Sequence, residues 1–291
     1  MPDSISAARE LLPPDYPAGL NEIPEPPEKL WLRGAMPAPG HKLLAVVGSR
    51  ALTRYGRDAC EMLIAGLAGY PVSIVSGLAL GADACAHRAA LASGLHTIAI
   101  PGSGLNDNVI GPKANGGLAR EILLAGGALL SEHEPDYLAH PHDFPSRNRI
   151  MVGLSHAVLV IEAGDRSGTL ITARLAGEYS RDLLCVPHRI NDPHGYASAV
   201  FIRLGAALVT EPKHILEALG IPVQDAQSAG EARAAALAGS ERAIYELLAD
   251  PVPRDELIRR SGIPIGEALT ILVSLELKGL IREEFGAWRR L

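Results

Sequence analysis

Short, nearly unbroken apolar runs recur through the middle of the chain, at Leu43–Val47, Val72–Val75, His96–Ile100, Ala128–Leu130, Ala157–Ile161, Leu183–Val186 and Ala207–Val209. Each is separated from the next by a turn and a stretch of helical pattern. Apolar runs without polar alternation predict strands covered on both faces, and helical crossovers between them predict parallel pairing. The expected fold over residues 41–220 is therefore α/β, a doubly wound, mostly parallel sheet.

The flanks read differently. Residues 1–40 are proline-dense, with Pro13, Pro14, Pro17, Pro24, Pro26, Pro27, Pro37 and Pro39. Proline fixes φ and removes a donor, so an extended arm with room for one short helix is expected there. Residues 221–239 are rich in Ala, Gly and Gln and read as a linker. From Ser240 a capped helix carries Ile244, Leu247 and Leu248, and Pro253 to Gly262 brackets a second helix. Ile265 to Lys278 forms a third, with Leu269, Leu272 and Leu275 at helical spacing, and Leu280–Glu284 and Ala287–Leu291 flank Phe285-Gly286 as a hairpin. Three helices and a hairpin predict a small C-terminal winged-helix domain over residues 240–291.

Composition narrows the function. A hydrophobic fraction of 47% fits a globular chain, and a net charge of -6 argues against a protein that coats polyanions over its whole surface. An aromatic content of 4% leaves few rings for stacking many bases. Cys60, Cys85 and Cys185 are odd in number and lack a C-x-x-C spacing, so reduced core thiols and a cytoplasmic setting are expected. No apolar run approaches the roughly 18 residues of a membrane span, and no membrane association is expected.

Four expected strand ends carry small-residue turns: Gly48-Ser49-Arg50, Ser76-Gly77 to Gly81, Gly102-Ser103-Gly104 and Ser167-Gly168-Thr169. In an open parallel sheet, ligands bind beyond the carboxyl ends of the strands, where backbone N–H groups and helix dipoles attract anions. Arg50, Arg147 and Arg149 add guanidinium forks suited to phosphate. None of the turns is a P-loop or a dinucleotide fingerprint. His133, His140 and His142 with Asp143 offer metal-ligating types, but their spacing does not make the rings converge, and no metal or cofactor is expected. Glu162 ends a strand on the same edge, where a carboxylate can handle a ribose, act in glycosidic cleavage or pair with a nearby arginine. Neither a Ser-His-Asp order nor a paired-carboxylate spacing occurs, so the expectation is binding rather than catalysis.

In order along the chain, Gly48-Ser-Arg50, Ser76-Gly-Leu-Ala-Leu-Gly-Ala-Asp83 with His87, Gly102-Ser-Gly-Leu105, Ser131-Glu132, Phe144-Pro-Ser-Arg-Asn-Arg149, Ser167-Gly-Thr-Leu-Ile-Thr-Ala173 and Gly205-Ala206 resemble the DprA/Smf DNA-processing family. Tyr16-Pro17 and Pro24-x-Pro-Pro27 resemble the family's lead-in. The resemblance implies an extended Rossmann-like domain that binds single-stranded DNA, dimerises with a second copy and loads a RecA-type recombinase in natural transformation. It implies that Ser49 and Arg50 hold a phosphate, that Ser76 and Gly77 offer the next phosphate turn, and that Gly102 lies on the same edge. It implies that Phe144, Arg147, Asn148 and Arg149 shape the strand pocket, with Ser167, Gly168 and Thr169 as its far wall.

The chain departs from the family at several places. Leu80 stands where a basic residue is usual, His188 replaces a glycine after Val-Pro, Ala197-Ser-Ala199 replaces Gly-x-Asn, and Gly111-Pro112 replaces Tyr-Pro. These changes predict altered DNA contacts. The third helix of the winged helix carries Glu267 and Glu276 and a single cation, Lys278, which favours protein contact over base reading. Two alternatives stay open at this point: a nucleotide-processing hydrolase of the phosphoribohydrolase type, although the Pro-Gly-Gly-x-Gly-Thr-x-x-Glu pattern is absent, and a ligand-sensing winged-helix regulator.

Overall fold

The computed structural model describes residues 7–165, 167–223, 237, 239–278, 280–284 and 286–290. It divides into two compact units, Met1–Pro222 and Val223–Leu291. The expected linker at 221–239 and the turn residue Phe285 lie largely or wholly outside the described residues.

All seven expected strands form. They are β3 (Lys42–Val47), β4 (Val72–Ser76), β5 (His96–Ala99), β6 (Ala128–Ser131), β7 (Ala157–Val160), β8 (Asp182–Cys185) and β9 (Ala207–Leu208). Two further strands precede them, β1 (Arg9–Leu11) and β2 (Leu30–Gly34). The sheet runs β1-β2-β6-β5-β4-β3-β7-β8-β9. From β6 to β9 every pairing is parallel, and β2 joins β6 antiparallel, with Trp31 opposite Ser131 and Gly34 opposite Ala128. The strand order reverses between β3 and β7, which makes their carboxyl ends the topological switch point.

Helices cover both faces. On one, α2 (Arg54–Ala65), α3 (Ala82–Ala92) and α4 (Gly116–Leu124) pack side by side; on the other, α5 (Asp143–Leu154) packs against α6 (Thr169–Glu178) and the four-residue α1 (Ala18–Asn21). Two more, α7 (Tyr196–Arg203) and α8 (Pro212–Ala218), follow toward the end of the unit. The buried run Leu43, Ala45, Val47, Val158 and Val160 meets Ile150, Met151 and Leu154 of α5. Leu11, Tyr16, Leu20, Ile23, Leu30 and Leu32 belong to this same core, so the proline-rich arm is built into the sheet and its apolar layer.

The second unit contains α9 (Gly239–Leu247), α10 (Arg254–Ser261) and α11 (Ile265–Leu277), with β10 (Val252–Pro253), β11 (Ile281–Glu284) and β12 (Ala287–Arg290) in the antiparallel order β10-β12-β11. Gly262, at φ 65°, ends α10 in the left-handed conformation that favours glycine. Leu248, Leu257, Leu272, Leu275 and Trp288 form its core. Leu269 is half-exposed rather than buried, in line with Ile265 and Val273 on the outer side of α11. Arg254 and Arg260 of α10 pair with Asp255 and Glu256.

Candidate functional site

A cleft of about 650 Å³ opens at the switch point. Its walls come from the turn after β3 (Gly48, Ser49, Arg50), the first half of α5 (Phe144, Arg147, Asn148) and the loop from β7 into α6 (Gly164, Asp165, Ser167, Gly168, Thr169). The structure thus brings eight predicted residues together: Ser49, Arg50, Phe144, Arg147, Asn148, Ser167, Gly168 and Thr169. Ser76, Gly77, Gly102 and Arg149 do not line it.

The first and fourth turns are open to a ligand. Ser49 Oγ accepts from the Ala51 amide at 3.1 Å, which holds the loop tight and leaves Arg50 exposed above it. The Arg50 guanidinium lies 5.6 Å from the centre of the Phe144 ring, a cation–π contact that fixes both side chains at the cleft wall. Across the cleft, Ser167 Oγ donates to Thr169 Oγ1 at 2.9 Å and accepts from the Thr169 amide at 3.2 Å. This small cap leaves Gly168 exposed at the N-terminus of α6, where amide donors and the helix dipole favour an anion.

The second turn is already filled. Asp83, on the first turn of α3, accepts from the amides of Gly77 at 3.1 Å and Ala79 at 3.2 Å. Its carboxylate takes up the amide donors that the turn would otherwise offer to an anion. Ser76 Oγ is also spent, donating to the Val46 carbonyl at 2.7 Å. Asn115 ties the turn from outside, donating to the carbonyls of Leu78 and Ala79. The expectation that Ser76 and Gly77 offer a phosphate turn is corrected: their donors are satisfied within the fold. Leu80, beside them, is 47% exposed and points outward from the turn.

Arg147 is likewise internal. It is buried and donates to the Ile100 carbonyl and the Met151 sulfur, with its Nη2 3.9 Å from Asp83. A Cβ on Gly77 would overlap this guanidinium, so glycine there makes room for arginine. Burial raises the Asp83 carboxyl above its ordinary range, against the opposing pull of Arg147 and the two amides. Burial likewise lowers Arg147, partly offset by Asp83. The pair stands under the cleft as a strut, not as a free fork.

Arg149 faces away. Residues two apart on an α-helix point about 200° apart, and Arg149 leaves the cleft to pair with Glu132 at the end of β6. The third turn packs loops together. A Cβ on Gly102 would press on the Phe144 ring and one on Gly104 on the Glu134 carbonyl, while Ser131 Oγ donates to the Ser103 carbonyl at 2.7 Å.

Glu162 is fully buried and holds Thr53, the N-cap of α2, accepting from its amide at 2.9 Å and from its hydroxyl, with His188 Nε2 3.8 Å away. Among the described residues it pairs with no arginine, one of the uses its sequence position left open, and it does not line the cleft. His188 packs under Gly195, whose missing Cβ gives the ring its space. Ala199 is exposed on α7. His87 is buried, with Nδ1 2.8 Å from Thr97 Oγ1; burial first, and the charge of Arg147 second, push it down to about 3. Among the described residues no group of three or more His, Cys, Asp or Glu is arranged to hold a metal. No described helix is long and apolar enough to cross a membrane.

Sequence reasoning missed His194, Pro141 and Ile171 in the cleft lining. His194 was findable: it lies in the loop after β8, next to the switch point, and the rule that sites lie beyond strand ends applies to that loop too.

Residues 10–220 match the family model for DNA recombination-mediator protein A, and residues 226–286 match the DprA winged helix domain. The chain is 40% identical over 290 residues to Protein Smf of Escherichia coli, covering 97% of this chain and 77% of that one. It is 41% identical over 201 residues to DNA processing protein DprA of Streptococcus pneumoniae, covering 69% and 70%. The solved structure of the S. pneumoniae protein superposes with a TM-score of 0.68 at 38% identity, over 74% of this chain and 75% of that one. A structure of DNA processing protein A from Helicobacter pylori, described for its single-stranded DNA binding mode, gives a TM-score of 0.64 at 29% identity, over 74% and 97%. With both its domains matched and relatives this similar over most of its length, the chain belongs to the DprA/Smf family of DNA recombination mediators.

Proposed function

We propose that this chain binds single-stranded DNA in the switch-point cleft and, as a recombination mediator, delivers the strand to a RecA-type recombinase during DNA uptake. The observation that carries the reading is that two open turns, Gly48–Arg50 and Ser167–Thr169, line one cleft walled by Phe144 and Asn148. A flexible strand can lay a phosphate against each turn and a base against the ring. The H. pylori relative named for its single-stranded DNA binding mode supports the same use. The role is binding rather than catalysis and draws on no cofactor, and the setting is cytoplasmic. Glu162, the carboxylate a hydrolase would need on this edge, is buried and engaged by Thr53.

A homodimer is part of this proposal. The sheet ends at β9, a two-residue edge strand, beside α7, and here Val200, Leu204 and Leu208 are exposed, Leu204 to 77%. An apolar edge of this kind suits a second copy.

Fluorescence anisotropy with a labelled oligonucleotide, single-stranded and as duplex, tests the reading. Single strands should bind more tightly, with affinity falling as salt rises because bound phosphates release counterions. Equal affinity for the two at moderate salt overturns it.

A further inference from the structure

Among the described residues lining the cleft, Arg50 is the one exposed guanidinium, since Arg147 is buried, and no lysine joins it. A strand that leaves the cleft needs further donors at the rim. Pro141 lines the cleft, and His140 and His142 flank it, both exposed, with parallel rings whose centres lie 5.7 Å apart.

These imidazoles are held in place. The buried Asp143 accepts from the His140 amide at 2.7 Å and from the Tyr137 hydroxyl at 3.1 Å. Its other oxygen lies 3.2 Å from His142 Nε2 and 3.7 Å from His133 Nε2. Tyr137 stacks on His133 and meets the edge of His140. The other carboxylates nearby are engaged elsewhere: Glu132 by Arg149, Glu134 by Lys29, and Asp136 by the Asn106 amide group. One carboxylate thus organises the array. With His142 Nε2 turned to Asp143, the Nδ1 side of a ring that is 78% exposed is left for a ligand.

We propose that His140 and His142 form a proton-gated phosphate subsite at the rim, contacting the backbone of a single strand as it leaves the cleft. The proposal rests on the cleft being the strand site. Histidine changes charge between about pH 5 and 8. The neutral ring has one donor; the imidazolium has two and a full positive charge, which binds phosphate better. The subsite therefore strengthens as pH falls.

The test is a salt titration of the full chain with labelled oligothymidylate, by anisotropy, at about pH 8 and about pH 6. The log–log salt slope of the wild type should steepen at the lower pH by roughly 0.7 for each phosphate that a charged ring neutralises, so up to about 1.4 for both rings. Because His194 also lines the cleft, the double variant His140→Gln/His142→Gln is compared in a His194→Gln background, where it should show one slope at both pH values while His194→Gln alone keeps the increment. His214→Gln, on α8, should keep the increment. Equal wild-type slopes at the two pH values, or an increment that survives in the double variant, overturns the subsite while leaving the cleft reading intact. No binding at either pH removes the cleft reading and the subsite with it.

Discussion

Removing the Asp83 carboxylate tests whether the second turn is structural. Asp83→Ala leaves Arg147 buried without an anion and strips the amides of Gly77 and Ala79 of their acceptor. Taking one partner from a buried charge pair costs about 3–5 kcal/mol, because the remaining charge stays desolvated. For a unit of 222 residues, each kcal/mol moves the midpoint by about 2–4 °C, so a fall of roughly 6–20 °C is expected in thermal melts. The double variant Asp83→Ala/Arg147→Met removes the stranded charge as well. It should recover at least about 2 kcal/mol relative to the sum of the single variants, since residues in one network do not add. A midpoint for Asp83→Ala within about 2 °C of wild type, or additive losses in the cycle, would refute the strut.

Three further outcomes rest on the same geometry. Arg50→Ala should weaken single-strand binding by about 1–3 kcal/mol, whereas Arg149→Ala, which leaves Glu132 unpaired away from the cleft, should change affinity far less and register in the melting midpoint; the reverse ranking by anisotropy would move the site. Leu80→Arg places a cation on an exposed position of the second turn, so it should steepen the log–log salt slope by about 0.7 without loss of stability; a lowered midpoint with an unchanged slope would count against it. His87 sits near 3 when folded against about 6.5 unfolded, so its contribution is present in full above the unfolded value and is lost as pH falls through that window, at up to about 1.4 kcal/mol per unit. Urea titrations between about pH 6.5 and 4.5 should therefore show His87→Gln losing less stability than wild type, and parallel profiles would exclude His87 as the cause.

The parallel sheet was legible because strands buried on both faces leave an uninterrupted apolar record, as at Leu43–Val47 and Ala157–Ile161. Strands β1 and β2 were not, because an antiparallel edge of three to five residues amid prolines carries too short a pattern. The candidate site was half legible. The first and fourth turns sit at the switch point as the motif order suggested. The second and third did not follow, because a Gly-Ser turn reads the same whether its amides meet a phosphate or an aspartate from the next helix. Arg147 and Arg149 both read as part of the strand pocket because they are close in sequence. The missing information was that both lie on α5, where the helical period sends them to opposite sides.

The antiparallel strand β2 has a practical consequence for how the chain can be shortened. It covers the outer edge of β6, a strand whose residues Ala128–Ser131 are all buried. A protein cut after Gly40 would bare that row of unpaired amides and carbonyls and would lose Leu20, Leu30 and Leu32 from the apolar layer beneath. An uncovered apolar edge is a template for strand addition between molecules. Such a truncation would be lost to precipitation through β6, so the segment from β1 to β2 acts as the seal that keeps the sheet from growing.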